Sequence, residues 1–451
     1  MNDTEYRALI ERDIAHLIHS QYSLRDQQNA IIFEKGEGAI LTDVRGREYI
    51  DGLSSLWNVA VGHGRKELAE AAAAQMGSLA FANGYTGYSN LPSIQLAEKL
   101  VSLSYSNMDA VFFANSGSEA NEVAFKLARF HWHLKGKMEK VKIITRRQAY
   151  HGGTLATTAA TGLPPFWRGF GPLDPTFIRE PTNHPFTPCT AECALAIEEQ
   201  IIREGPDTVA AIIAEPVQGA GGVIPPGPDY FPTLRQVCDR QGVLLIADEV
   251  ITGFGRTGRW FALRHWDVQP DIVTFAKAVT SAYVPLSGAI VSREIHQAIL
   301  DAPLPDGRFM HGMTNSGHPG ACAVALRNLQ IFDDENLVES AASLGQRLQD
   351  GLRGLLSEDG VGDVRGLGLM AGVEIMADVE KRKPFPIELG VGPRVVAACK
   401  ERGLISRNLA DNYLLAPPLV TTPEQIDRIV DIVREAVREV VPWARRQKPE
   451  M

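Results

Sequence analysis

The chain has 451 residues, 45% of them hydrophobic, and a formal charge of -9. A chain of this length buries a large core and suggests two or three domains. The charge is modest and dispersed, with no basic block long enough to follow a phosphate backbone, so nucleic acid is not an expected partner.

The first twenty residues, MNDTEYRALIERDIAHLIHS, carry acidic residues and no continuous apolar stretch, which reads as neither signal nor transit peptide. No window holds 18 uninterrupted apolar residues, so no membrane partner is expected and the chain reads as soluble and cytoplasmic. Five cysteines (Cys189, Cys193, Cys238, Cys322, Cys399) are an odd number in a large chain, which argues against a disulfide framework. Cys189 and Cys193, with His184 nearby, lack a second ligand pair at zinc-like spacing, and no metal is expected.

Strands are predicted at Ala110 to Ala114, Val141 to Arg146, Val209 to Glu215, Val243 to Asp248, Ile272 to Ala276 and Gly288 to Ser292. They are apolar throughout rather than alternating, as strands buried on both faces should be. Longer helical patterns separate them, which implies right-handed crossovers and an α/β sheet covered by helices. Beyond about residue 330 the pattern changes to longer helices around a glycine-punctuated strand region, Val364 to Glu374. The last helix is announced by a threonine cap, Pro423 in the first turn and Gln425 completing a capping box. Its apolar positions Ile426, Ile429, Val430, Val433 and Val437 keep a helical period. The expected organisation is an N-terminal segment (1–60) packing with the small domain, a large domain (61–330) and a small C-terminal α/β domain (331–451).

Four features fall at the ends of predicted strands, where open α/β sheets place their ligands. Asn115-Ser-Gly-Ser-Glu-Ala120 follows a strand and opens a helix; it suits a phosphate, through close backbone approach at Gly117 and unpaired N–H groups, and it also suits an ordinary helix entry. Asp248-Glu249 closes an apolar strand with carboxylates facing opposite ways, so one should be buried with a donor partner. A protonated pyridine nitrogen or a loop cap would satisfy Asp248. Gly253-Phe-Gly-Arg-Thr-Gly258 matches a dinucleotide fingerprint in letters only, because it neither follows its strand directly nor opens a helix.

The fourth feature, Lys277, is the only lysine between Ile143 and Glu380 and ends the run Asp271-Ile-Val-Thr-Phe-Ala. An amine desolvated at a strand mouth loses its proton more easily and can attack a carbonyl to form a Schiff base. A lysine snorkelling to solvent is the alternative for Lys277 taken alone. Amine, carboxylate and helix start together are the three anchors that pyridoxal phosphate needs.

With Ser116-Gly-Ser-Glu-Ala120, Tyr150-His-Gly152, Glu215-Pro-Val217, Asp248-Glu-Val250, Lys277 and His311 to Pro319 in this order, the chain resembles a class III aminotransferase. This is the fold-type I pyridoxal-phosphate family that includes ω-amino acid:pyruvate and amine:pyruvate transaminases. The likeness runs from Asp51-Gly-Leu-Ser-Ser-Leu-Trp57 to Leu415-Ala-Pro-Pro418. It implies a large, mostly parallel sheet domain with helices on both faces, plus a smaller C-terminal α/β domain. It implies that Lys277 binds the cofactor covalently and shuttles the substrate proton, that Asp248 keeps the ring nitrogen protonated, and that Ser116, Gly117 and Ser118 take the phosphate. Tyr150 would stack on the ring, Val250 would pack on its other face and Glu215 would stand behind it.

By the same resemblance Thr314 reaches the phosphate of a neighbouring subunit's cofactor, making the active unit a homodimer or a dimer of dimers. Arg407 would bind a substrate carboxylate, and Trp57, Tyr150, Tyr22 and Tyr85 would line the substrate pocket. Ornithine- and γ-aminobutyrate-type relatives carry a glutamate where this chain has Ala220, leaving Arg407 available to a monocarboxylate. The expected reaction moves an amino group from a primary amine or ω-amino acid, such as β-alanine, taurine, a diamine or an arylalkylamine, to pyruvate through a ping-pong cycle between pyridoxal and pyridoxamine phosphate. An aminomutase or a dialkylglycine decarboxylase of the same fold is the alternative.

Overall fold

A computed structural model describes residues 1–21, 23–180, 188–305 and 307–447. Its centre is a seven-stranded sheet in the spatial order Met108–Ala114, Ser287–Ser292, Ile272–Phe275, Leu244–Asp248, Val209–Ala214, Lys142–Thr145 and Phe177–Arg179. Six of these are the strands expected from the sequence, within two residues at either end. The seventh, Phe177–Arg179, is three residues long and too short to leave an apolar pattern. Ser287–Ser292 runs antiparallel to both neighbours. It is buried at all six positions, and burial on both faces gives the same residue pattern in either direction.

Neighbours from Ile272–Phe275 to Phe177–Arg179 are parallel, so their carboxyl ends gather along one edge. Helix Gly117–Leu134 packs across Ser287–Ser292 and Ile272–Phe275, burying Ala120, Val123, Ala124, Leu127 and Ala128. That packing fixes the start of the helix beside the same edge. The edge therefore receives Ser116, Glu215, Asp248 and Lys277 from four separate strand ends.

A second sheet joins the two ends of the chain. Strands Phe33–Glu37, Ile40–Asp43 and Glu48–Asp51 form an antiparallel meander, and Glu48–Asp51 pairs in parallel with Leu404–Ile405. A third sheet orders Val361–Gly366, Ala371–Ile375, Asn412–Leu415 and Arg407–Leu409. Helix Pro423–Arg446 begins as expected: the Thr422 hydroxyl accepts from the Gln425 N–H, and the Gln425 side chain accepts from the Thr422 N–H. Ile426, Ile429, Val430, Val433 and Val437 are all buried. No described helix is long and apolar enough to cross a membrane.

Residues 253–258 form a loop, and the loop has a structural task. Arg256, 2% exposed, donates to the carbonyls of Leu369 and Pro417 at 3.0 and 2.5 Å and to the Ser54 hydroxyl at 2.8 Å. One guanidinium thus ties three distant stretches of chain together. Against the expectation from the odd cysteine count, Cys189 and Cys193 are joined in a disulfide, one helical turn apart at the start of helix Ala191–Glu204, which leaves three buried thiols. His184 lies outside the described residues.

Lys140 is buried where the sheet begins, and its ammonium donates to the carbonyls of Pro206, Val209 and Gly242 at 2.7, 3.0 and 2.8 Å. Removing the ammonium orphans three carbonyls at once. Lys140→Met should cost about 3 kcal/mol in chemical denaturation, with the visible absorbance of bound cofactor retained. A loss below about 1 kcal/mol would show that water replaces the amine there.

Candidate active site

Ser116 caps helix Gly117–Leu134: its hydroxyl accepts from the Glu119 N–H at 3.2 Å, and the Glu119 carboxylate accepts from Asn115. The N–H groups of Gly117 and Ser118 make no hydrogen bond among the described residues, as the first turn of a helix requires, and they stay available to an anion. A side chain at 117 is excluded on the other side, because a Cβ there would stand 2.9 Å from a methyl of Val250. The Ser118 hydroxyl accepts from the Gly153 N–H at 3.0 Å, which fixes the Tyr150-His-Gly152 segment beside the cup.

Asp248 is 4% exposed and fully occupied on one oxygen. Oδ2 accepts from the Asn121 amide at 2.9 Å and pairs with His151 Nδ1 at 2.7 Å. Oδ1 accepts only the Val250 N–H, at 3.1 Å, and keeps capacity for one further donor. Neighbouring Glu249 faces the other way into the core, where Tyr105, Thr252 and the N–H groups of Ala262 and Leu263 all donate to it. Both carboxylates are buried, one more than the sequence required.

Lys277 opens a short 3-10 turn after Ile272–Phe275, with φ of 49°, in the left-handed region. Its amine has no hydrogen-bond partner among the described residues. Burial pushes its pKa down, against the opposing pull of Asp248 and Glu215. Glu215 accepts from the N–H groups of Tyr150 and Gly219, both at 2.9 Å, and burial raises its carboxyl to about 7. Tyr150 stands between Asp248 and Arg407, whose charges both act on its hydroxyl, and packs on Phe166 with ring centres 5.0 Å apart. Arg407 forms no ion pair among the described residues, and its pKa is lowered by burial.

The remaining positions divide. Trp57, 3% exposed, is packed among Val217, Ile251, Met370 and Leu414 rather than open to a pocket. Tyr85 is exposed and lies against Gly312, where a Cβ would collide with its ring; Thr314, two residues on, is exposed as well. Within one chain Tyr85 lies against the loop that carries Thr314. Tyr22 lies outside the described residues. Asn121 and His151 were not expected as members of the site; His151 stands within the motif Tyr150-His-Gly152, and Asn121 directly follows the motif Ser116 to Ala120.

Fold and strand-edge cluster together define a pyridoxal-phosphate enzyme of the fold-type I class. Residues 22–437 match the class III aminotransferases, and the chain belongs to that family. It is 44% identical to a thermostable (S)-enantioselective omega-transaminase from Thermomicrobium roseum, over 98% of this chain and 99% of that one, with a TM-score of 0.93. An omega transaminase from Pseudomonas jessenii, solved in complex with PMP, is 37% identical over 98% of this chain and all of that one, with a TM-score of 0.92. A diaminobutyrate–2-oxoglutarate transaminase from Halomonas elongata is 38% identical across 98% of both chains.

The cofactor is pyridoxal 5'-phosphate, and the residues fit it. Two unpaired N–H groups suit the phosphate, the open lone pair on Asp248 Oδ1 suits the ring nitrogen, the unpartnered amine of Lys277 suits the aldehyde, and Val250 against Gly117 leaves a thin apolar floor.

Removing Asn121 or His151 should weaken Asp248's grip on the cofactor. Asn121→Ala and His151→Ala are each expected to bind pyridoxal phosphate about tenfold less tightly in absorbance titrations of apoenzyme, the effect of one charge-assisted hydrogen bond. Unchanged affinity in both would contradict that role.

Glu215 generates a pH dependence of stability. Its folded pKa of about 7 exceeds the ordinary 4.5, so its stabilising contribution is complete below 4.5 and lost as pH rises through 7. Glu215→Gln should flatten the melting temperature of apoenzyme between about pH 5 and 8. An equally steep profile in the variant would place the titration elsewhere.

Proposed function

We propose that this aminotransferase takes its amino group from a primary amine or ω-amino acid and delivers it to pyruvate in two half-reactions. The observation that carries the acceptor is Arg407: a half-buried guanidinium near Tyr150 with no carboxylate partner among the described residues, in a chain that holds Ala220 instead of glutamate. A planar fork of donors matches one carboxylate. A dicarboxylate acceptor would need a second free cation. Arg365, which reaches the same loop at the Gly222 carbonyl, is spent on Asp363 and Glu374, both at 2.8 Å.

When bound, pyridoxal phosphate supplies an electron sink for the substrate carbon that loses its proton. Lys277 Nζ would take that proton and return it, and burial lowers its pKa toward the neutral form that a proton acceptor needs. Asp248 Oδ1, which keeps capacity for one further donor, would hold the ring N–H. Ser116, Gly117 and Ser118 bind the phosphate, Tyr150 and Val250 enclose the ring, and Glu215 fixes the Tyr150 backbone. Trp57 backs the amine pocket from behind its wall.

The unit that does this is a homodimer. Tyr85, Tyr88, Leu91 and Ile94 expose apolar surface next to the loop that carries Thr314, and a second copy covering them brings Thr314 to its phosphate cup.

Alanine formation from pyruvate with a panel of amines, set against glutamate formation from 2-oxoglutarate, tests the acceptor. Lys277→Arg should abolish both half-reactions. Arg407→Ala should raise KM for pyruvate about a hundredfold, the worth of a bidentate pair, and leave KM for an uncharged amine within about threefold. Preference for 2-oxoglutarate, or an unaltered pyruvate KM in Arg407→Ala, would overturn the assignment.

A further inference from the structure

The segment Asp51-Gly-Leu-Ser-Ser-Leu-Trp57 contains a backbone that nothing in the cofactor site explains. Ser54, Ser55 and Trp57 all have positive φ, at 48°, 57° and 63°. Ser55, with ψ of -76°, occupies the strained γ-turn region that glycine alone enters freely. Such conformations cost about 1–3 kcal/mol each and persist only where the surroundings over-determine them.

The over-determination is visible. Asp51, fully buried at the end of strand Glu48–Asp51, accepts the Ser55 N–H with both oxygens, at 2.8 and 2.7 Å, and the Leu53 N–H at 3.2 Å. His63 Nε2 lies 2.9 Å from the same carboxylate. Arg256 donates to the Ser54 hydroxyl at 2.8 Å, and that hydroxyl donates to the Ala416 carbonyl at 2.7 Å. The turn is clamped between the meander, the 253–258 loop and the C-terminal sheet. It delivers Trp57 into a pocket of Val217, Ile251 and Leu414. Val217 is two residues past Glu215, Ile251 follows Val250, and Leu414 pairs with Arg407 in the sheet. Trp57 therefore forms the backing shared by the ring-binding and carboxylate-binding walls.

We propose that Asp51 is a positioning residue of the amine-donor subsite: it holds a strained turn whose purpose is to seat Trp57, and through Trp57 it sets the room for a bulky aromatic amine. The proposal rests on the donor class given above. Without the clamp a serine at 55 relaxes out of this conformation and carries Trp57 with it, and a wall displaced by an ångström penalises the largest substrates first.

Kinetics with 1-phenylethylamine and with propylamine, pyruvate as acceptor, test it on wild type, Asp51→Ala, Asp51→Asn and the double variant Asp51→Ala/Ser55→Gly. Asp51→Ala should raise KM for 1-phenylethylamine about tenfold and for propylamine less than about threefold, with the visible absorbance of bound cofactor intact. The double variant should recover most of the loss, because glycine adopts the turn without a clamp. Equal loss with both donors, or no recovery in the double variant, overturns the proposal. Asp51→Asn keeps one acceptor, should fall between, and carries the test where the alanine variant fails to fold; a wild-type KM ratio in it overturns the proposal too. Wild type inactive toward both amines would defeat the donor class instead. The crystal structure of Asp51→Ala then decides: a shifted Trp57 supports the role of Asp51, and an unmoved one refutes it.

Discussion

Everything in the catalytic edge follows from a desolvated amine on a half-buried lysine facing buried carboxylates. Lys277, Asp248 and Glu215 come from three neighbouring strands, the carboxylates buried and the lysine half-buried against them, and burying a charge is costly unless it is paired. The protein meets that cost differently for each. Asp248 is addressed by three donors; Glu215, with two backbone donors, is pushed toward its neutral form; Lys277 has none among the described residues, and burial lowers its pKa. A desolvated amine beside a hydrogen-bonded carboxylate with a free lone pair is what an aldehyde-bearing, pyridine-containing cofactor requires of its protein.

Helix Gly117–Leu134 links that constraint to the phosphate cup. Its first turn offers unpaired N–H groups, and one turn later Asn121 reaches Asp248. A single rigid element thus sets the spacing between phosphate and ring nitrogen, and apolar packing of its inner face onto the sheet supplies the rigidity. The Arg256 clamp and the strained turn at residues 54–57 do the same for the substrate side, joining distant segments through one guanidinium and one carboxylate.

What could be read from residues alone was whatever is local. The apolar runs at 209–214 and 244–248 and the capped, periodic helix at 423–446 announce themselves, because burial and capping act over a few residues. The antiparallel direction of Ser287–Ser292 leaves no mark on a strand buried on both faces, and Phe177–Arg179 is too short to show a period. Lys277 and Asp248 were legible as strand-end polar groups, but their partners were not: His151 and Asn121 lie 97 and 127 residues from Asp248 in sequence, and only the closed sheet brings them together. Trp57 was expected at a pocket surface and is buried behind it, since the positive φ values that turn it inward belong to Ser54, Ser55 and Trp57 itself, residue types that ordinarily avoid them.

The central claim is that one secluded ε-amino group, at position 277, carries the cofactor. Borohydride treatment of the purified yellow enzyme, followed by peptide mass mapping, tests it most directly. The account predicts a single pyridoxyl addition per chain, on the peptide containing Lys277, with Lys140 and every other lysine unmodified. Label spread over surface lysines, or none at 277, would contradict it.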